Sequence, residues 1–313
     1  MSSIIPELCL GVGAQLHDGR YTVTKVLGQG GFGITYLAQD TQTGQPAAIK
    51  EFFLQDSHRQ GTIVSAPTSM GREKLENLIQ RFQRESETLR GLDHPNIVKV
   101  YDQWAENGTA YYAMEFVQGE TLQAYIKRQP GGKLPEADAL KLLAPLLDAV
   151  DYVHQQGLVH RDIKPENVLI TPSGELKLID FGLARDAVEG EVRSTSMVIL
   201  SHGYAPPEQY SATEAHGPYT DVYALGGVLY FLLSGAHPTS VQDRVLDKPF
   251  NPSIESLGLS SPVQQALTQA LQLQPKERIQ TAADFQASLK FKSQQTHTKS
   301  KSPSTVSSQY HTA

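Results

Sequence analysis

Apolar positions recur every second residue early in the chain and every third or fourth residue later on. Between Tyr21 and Ile49 three short runs, 21–27, 34–38 and 47–49, are β-branched, aromatic or apolar and are separated by turn-rich segments, which predicts strands. Residues 1–20 show no clear periodicity and are expected to form an extension leading into the first strand. Residues 51–70 contain Gly61 and Pro67 with little pattern, and read as an unusually long connection. A helix is predicted over 72–90, where Leu75, Leu78, Phe82 and Leu89 share one face. Strands follow over 97–102 and 110–116.

After Gly119 the periodicity becomes helical. Residues 140–152 and 262–273 are amphipathic, whereas 222–233 is apolar all round, the mark of a buried helix. From Lys292 the chain is rich in Ser, Thr, Gln and Lys and has no acidic residue, so 292–313 is expected to be a disordered tail. A strand-rich first third thus precedes a helix-rich remainder, and no internal repeat is visible.

Composition narrows the function. The 313 residues carry a formal charge of −6 with both signs interspersed, and no basic stripe with interleaved aromatics, so nucleic acid is not the expected partner. The longest apolar run, 224–233, is too short to span a bilayer. The N-terminus has no charged leader followed by an apolar segment, so a cytoplasmic protein is expected. A single cysteine, Cys9, rules out an internal disulfide and a cysteine metal cluster; it reads as an ordinary thiol near a terminus rather than a redox centre.

The chemistry concentrates in His160-Arg161-Asp162-Ile163-Lys164-Pro165-Glu166-Asn167, followed eighteen positions after Asp162 by Asp180-Phe181-Gly182. One loop holds a carboxylate, a cation and an amide oxygen, and a second carboxylate comes shortly after. Both strings, in this order, resemble the catalytic and metal loops of the protein kinase family, and Lys164 resembles its serine/threonine-specific version. The resemblance covers about 21–291 and is closest to bacterial Hanks-type kinases, some of which share the Glu51-Phe52-Phe53 stretch. It implies an α+β fold of two lobes, a small β-rich N-lobe and a larger α-helical C-lobe. It also implies transfer of the γ-phosphate of ATP to Ser or Thr of protein substrates, this chain included, with Mg²⁺ or Mn²⁺. In that chemistry Asp162 attends the hydroxyl proton, Lys164 the migrating phosphoryl group, and Asn167 and Asp180 the metal.

The nucleotide would lie in the first half. Gly28-Gln29-Gly30-Gly31-Phe32-Gly33 satisfies a G-x-G-x-x-G pattern, and the strand-like 34–38 that follows puts it at the tip of a hairpin rather than at the start of a helix. There, missing Cβ atoms let backbone N–H groups approach phosphates. The resemblance adds Leu27, Gln29, Phe32, Ile34, Thr35 and Ala48 to the nucleotide's surroundings; Thr35 stands where the family usually has valine. Lys50 ends an apolar run 17 residues beyond Gly33 and would bind the α- and β-phosphates. Glu85 projects from the apolar face of the predicted helix, and a carboxylate there demands a cation, for which Lys50 is the candidate. A solvated Glu85 is the alternative. By resemblance, Met114 is the gatekeeper, Glu115 and Val117 lie in the hinge that meets adenine, and Leu169 is the floor beneath it.

In the second half the resemblance makes 180–208 the activation segment, ending in Pro206-Pro207-Glu208 where the family has Ala-Pro-Glu. Glu208 is expected to pair with Arg278, and Asp221 to anchor the catalytic loop. Ser201 would face the catalytic aspartate. Ser194, Thr195 and Ser196 are candidate phosphorylation sites that Arg161 would capture, or simply a polar loop that is never modified. Two competing classes are a pseudokinase or scaffold that binds nucleotide without turnover, and a small-molecule phosphotransferase. The full set Lys50, Glu85, Asp162, Lys164, Asn167 and Asp180 speaks against the first, and the Glu208–Arg278 pairing against the second.

Overall fold

The computed structural model describes residues 4–31, 33–54, 56–67, 70–181, 203–211 and 214–289. The first half is built on strands β1 (Gln15–Leu16), β2 (Tyr21–Gly30), β3 (Gly33–Asp40), β4 (Pro46–Phe52), β5 (His58–Gln60), β6 (Ile63–Ser65), β7 (Val100–Glu106) and β8 (Thr109–Glu115). Six of them form an antiparallel sheet in the order β1-β2-β3-β4-β8-β7, and β5 pairs with β6 as a separate hairpin. Alternation sends side chains of each strand to opposite faces. On the inner face Ala48, Phe52, Tyr112 and Met114 pack with Leu78, Phe82 and Leu89 of helix α1 (Arg72–Arg90). The outer face gathers Ile34, Tyr36, Ile49, Tyr111 and Trp104 with Leu10, Leu16 and Val64. The sheet of the small lobe is therefore covered on both sides.

Below it, β9 (Glu120–Thr121), β10 (Val168–Ile170) and β11 (Leu176–Leu178) make a small sheet in the order β11-β10-β9. Around it lie helices α2 (Leu122–Lys127), α3 (Glu136–Gln155), α4 (Pro218–Ser234), α5 (Val241–Val245), α6 (Ser261–Ala270) and α7 (Ala282–Ser288). Every residue of α4 from Thr220 to Leu233 is buried, as its all-round apolar sequence predicts. It is the axis of a core shared with α3, α6 and α7. The architecture is the expected pair of unequal lobes, β-rich and helical.

Several boundaries moved for physical reasons. The expected unpatterned connection over 51–70 contains the β5–β6 hairpin, whose three-residue strands are too short to show a period. The strand expected over 97–102 begins instead at Val100. Ile97 forms an isolated bridge to Leu178, and the Val98 amide donates to the Leu178 carbonyl at 3.0 Å, so this stretch crosses to the other lobe. The β7 strand then runs on to an Asn107-Gly108 turn with φ of 56° and 73°, a hairpin signal. Residues 4–20, expected as an extension, pack onto the outer face, with β1 pairing to β2. The tail 292–313, Phe32, Gly182, Ser194, Thr195, Ser196 and Ser201 lie outside the described residues.

Candidate active site

The β10–β11 hairpin brings the two chemical strings together. Asn167 precedes β10 and Asp180 follows β11 by two residues, and the Ile179 amide donates to the Asn167 carbonyl at 2.9 Å. The Asn167 amide nitrogen donates to the Asp162 carbonyl and to Asp162 Oδ2, both at 2.8 Å, and reaches the Asp180 carbonyl at 3.4 Å. Lys164 Nζ donates to the same Asp162 Oδ2 at 3.0 Å. Asp162 is thus oriented by a cation and an amide, with both donors on one oxygen.

The loop is held from below by Asp221 at the start of α4. Its carboxylate, fully buried, accepts from the backbone amides of His160 at 2.7 Å and Arg161 at 2.8 Å and contacts His154 Nε2 at 2.9 Å. Burial pushes the His160 imidazole down, against the pull of Asp221 and Asp162, so the ring is neutral, and it packs on Phe181 at 4.3 Å. Arg161 and Asp180 adopt left-handed backbone with φ of 66° and 52°, a conformation that non-glycine residues keep only where the surroundings impose it. Glu208 and Arg278 form a bidentate pair at 2.6 and 3.2 Å, both side chains at 0 % exposure, the pairing expected from the sequence. Gly203 is required where the chain enters this region: its φ is +85°, and a Cβ would stand 2.3 Å from the Pro238 carbonyl oxygen.

Above the loop, Lys50 extends from the inner face of β4, opposite Thr35 and Tyr112. Its expected partner is corrected. Lys50 Nζ bonds Asp180 Oδ1 at 2.9 Å, not Glu85. Glu85 is on the inner side of α1, as the helical spacing requires, but the helix does not carry it to the lysine. Its Oε2 is buried without a hydrogen-bond partner. Burial raises the carboxyl to about 7, with the charges of Arg81 and Arg161 pulling the other way.

The glycine string does form a hairpin tip, with Gly30 opposite Gly33. A Cβ on Gly33 would meet the Glu51 carbonyl oxygen at 2.6 Å and Lys50 Cε at 3.2 Å, so this position is glycine because β4 passes beneath it. Gly28, Gly31, Thr35 and Ala48 lie along the same hairpin and strand, and Leu27 is exposed. Two expected nucleotide contacts face elsewhere: Ile34 is buried in the outer cluster, and the Gln29 side chain bonds the Ile5 amide on that outer side, because both alternate away from Lys50. Met114, Val117 and Leu169 line the inner core, and Glu115 bonds Lys177 at 2.9 Å. Sequence reasoning missed Glu51 as a structural centre; a carboxylate between Lys50 and Phe52 in an apolar strand was the available signal.

The donor set suits a hard divalent cation. Asn167 spends its amide nitrogen on Asp162, leaving the oxygen out of those bonds, and Asp180 adds a carboxylate. Among the described residues no group of three or more His, Cys, Asp or Glu could hold a metal by itself.

The profile of the protein kinase domain matches residues 21–289. The serine/threonine-protein kinase PrkC of Bacillus subtilis is 34% identical over 285 residues, covering 87% of this chain and 40% of that protein. The serine/threonine-protein kinase PknB of Mycobacterium tuberculosis is 31% identical over 283 residues, covering 86% and 42%. This chain therefore spans about two-fifths of the length of these curated relatives. Among solved structures, the apo form of PpkA-294 superposes with a TM-score of 0.77 at 32% identity, covering 90% of this chain and 99% of that one. The PknI kinase domain of Mycobacterium tuberculosis gives 0.66 at 25% identity, with coverage of 90% and 99%.

Proposed function

We propose an activity from one premise: this chain belongs to the protein kinase domain family. It transfers the γ-phosphate of ATP to serine and threonine hydroxyls of proteins, its own included. The observation that carries the reading is the Asp162 carboxylate, held by Lys164 at 3.0 Å and Asn167 at 2.8 Å one hairpin away from Asp180. Phosphoryl transfer asks a protein for positioning and charge stabilisation more than for covalent chemistry, and this cluster offers both.

In this reading Asp162, oriented by Lys164 and Asn167, takes the proton of the acceptor hydroxyl. Lys164 offsets charge at the migrating group, and Lys50 serves the α- and β-phosphates under the glycine hairpin. Glu85 steadies Lys50 once Asp180 releases it to the metal site. Asn167 and Asp180 would hold Mg²⁺ or Mn²⁺, which supplies charge neutralisation across the phosphates when bound. The kinase domain is 21–291, and the acceptors are proteins rather than nucleic acids, since no basic stripe is present. Among the described residues no helix is long and apolar enough to cross a membrane; a cytoplasmic setting is part of the proposal. The test is incubation with γ-labelled ATP and a generic protein acceptor, with and without divalent cation. Label in phosphoserine or phosphothreonine that a chelator abolishes is expected; folded protein that binds ATP and transfers no phosphate under any cation would reject the activity.

A further inference from the structure

The outer face of the small lobe carries a buried polar cluster with no place in the chemistry above. Glu51 is fully buried, next to Lys50 on β4 but pointing the other way. Its Oε2 accepts from Tyr36 OH at 2.7 Å and from an Arg59 terminal nitrogen at 2.5 Å, and its Oε1 from Tyr111 OH at 2.7 Å. Burial drives both tyrosine hydroxyls well above their ordinary range, so they are donors throughout. Arg59, from the β5–β6 hairpin, also donates to the Leu8 carbonyl at 2.6 Å and the Thr62 carbonyl at 3.0 Å. The Tyr36 hydroxyl also accepts from the Leu10 amide at 3.2 Å.

The segment this cluster grips runs on to the nucleotide lid. Residues 5–10 make a single 3₁₀ turn at Pro6–Leu8, and the Cys9 thiol donates to the Ile5 carbonyl at 3.4 Å. At its far end the Ile5 amide donates to Gln29 Oε1 at 2.8 Å, inside the glycine-rich string. One end of this strap therefore holds the lid, and the other is fixed to the strand that carries Lys50. The strap lies ahead of residue 21, where the family profile begins. We propose that residues 5–10 are a positioning element for the nucleotide, joining the glycine hairpin through Gln29 to the Lys50 strand through Arg59 and Glu51. This rests on the reading of the Lys50 face as the nucleotide site.

Coupling of this kind is reciprocal: if the strap improves nucleotide binding, nucleotide must tighten the strap by the same factor. Cys9 is the chain's single cysteine, sits in the strap and is partly exposed, so its rate of alkylation by a maleimide reports release. The variants are Ile5→Pro, which deletes the donor to Gln29, and Gln29→Leu, which deletes the acceptor. The ligand is a non-hydrolysable ATP analogue with Mg²⁺, which needs no turnover. Each variant is expected to weaken analogue binding by about fivefold, the worth of one hydrogen bond, with kcat nearly unchanged and the double variant no worse than either. In the wild type, saturating analogue should slow Cys9 alkylation by about the same factor, and in Ile5→Pro it should not. Analogue that binds the wild type without protecting Cys9, or binds both variants as tightly as the wild type, overturns the strap. Wild type that binds no analogue at all overturns the nucleotide site itself, a different result from the same titration.

Discussion

On the outer face of the small lobe Glu51 receives three hydrogen bonds from Tyr36, Tyr111 and Arg59; on the inner face Glu85 is half-buried and its Oε2 receives none. Both carboxylates belong to the small lobe, and both sit near the strand of Lys50 or face its side of the sheet. The outer one has every partner it needs, so that face has a single low-energy arrangement. The inner one has an unbonded Oε2 while Lys50 is engaged with Asp180. An unsatisfied buried polar group calls for an explanation, and the function proposed above supplies one: a pair with Lys50 when nucleotide and metal are bound. In that reading the small lobe combines a locked back with a convertible front, whereas the 160–167 loop below is already held on Asp221.

The largest effect should come from breaking the locked side. Arg59→Met leaves Glu51 buried without its cation, and stability should fall by about 3–5 kcal/mol, read from the denaturant midpoint. A loss no larger than that of a surface substitution would erase the contrast between the faces. Next comes the convertible side. Lys50→Met and Glu85→Ala should each lower kcat/KM by roughly tenfold or more, and the double variant by much less than the product. Independent losses would mean Glu85 never meets Lys50 during turnover.

The smallest effect concerns protons. The ordinary carboxyl value is 4.5, and folding raises Glu85 to about 7. Between those values the folded chain keeps a proton that the unfolded chain has released, so stability falls as pH rises through that window. Thermal melts from pH 4.5 to 7 should show this slope in the wild type and a flatter one in Glu85→Gln. Parallel slopes would show that Glu85 is not buried in the way described.

These contrasts also mark what could be read from the sequence. A helix over about 72–90 was legible because Leu75, Leu78, Phe82 and Leu89 repeat at helical spacing. The cluster of Asp162, Lys164 and Asn167 was legible because its members lie in one short stretch, 162–167. Lys50 stood out in the sequence as a candidate, yet its partner in the structure was not legible, since Asp180 is 130 positions away and the choice between it and Glu85 depends on where α1 rests. The strap escaped notice for a related reason: Ile5, Gln29, Arg59 and Glu51 meet only through tertiary folding, and segments of three to six residues are too short to show a period. Gln29 and Ile34 were assigned to the nucleotide from the family resemblance, and strand alternation turned their side chains outward.

The account stands most directly on Asp162. Asp162→Asn keeps the shape of the loop and its contact with Asn167 while removing the proton acceptor. With Mg²⁺ and γ-labelled ATP, transfer to protein serine and threonine should fall by about 10²–10⁴-fold, with ATP affinity kept within about twofold. Transfer at the wild-type rate by this variant would contradict the assignment of phosphoryl transfer to this site.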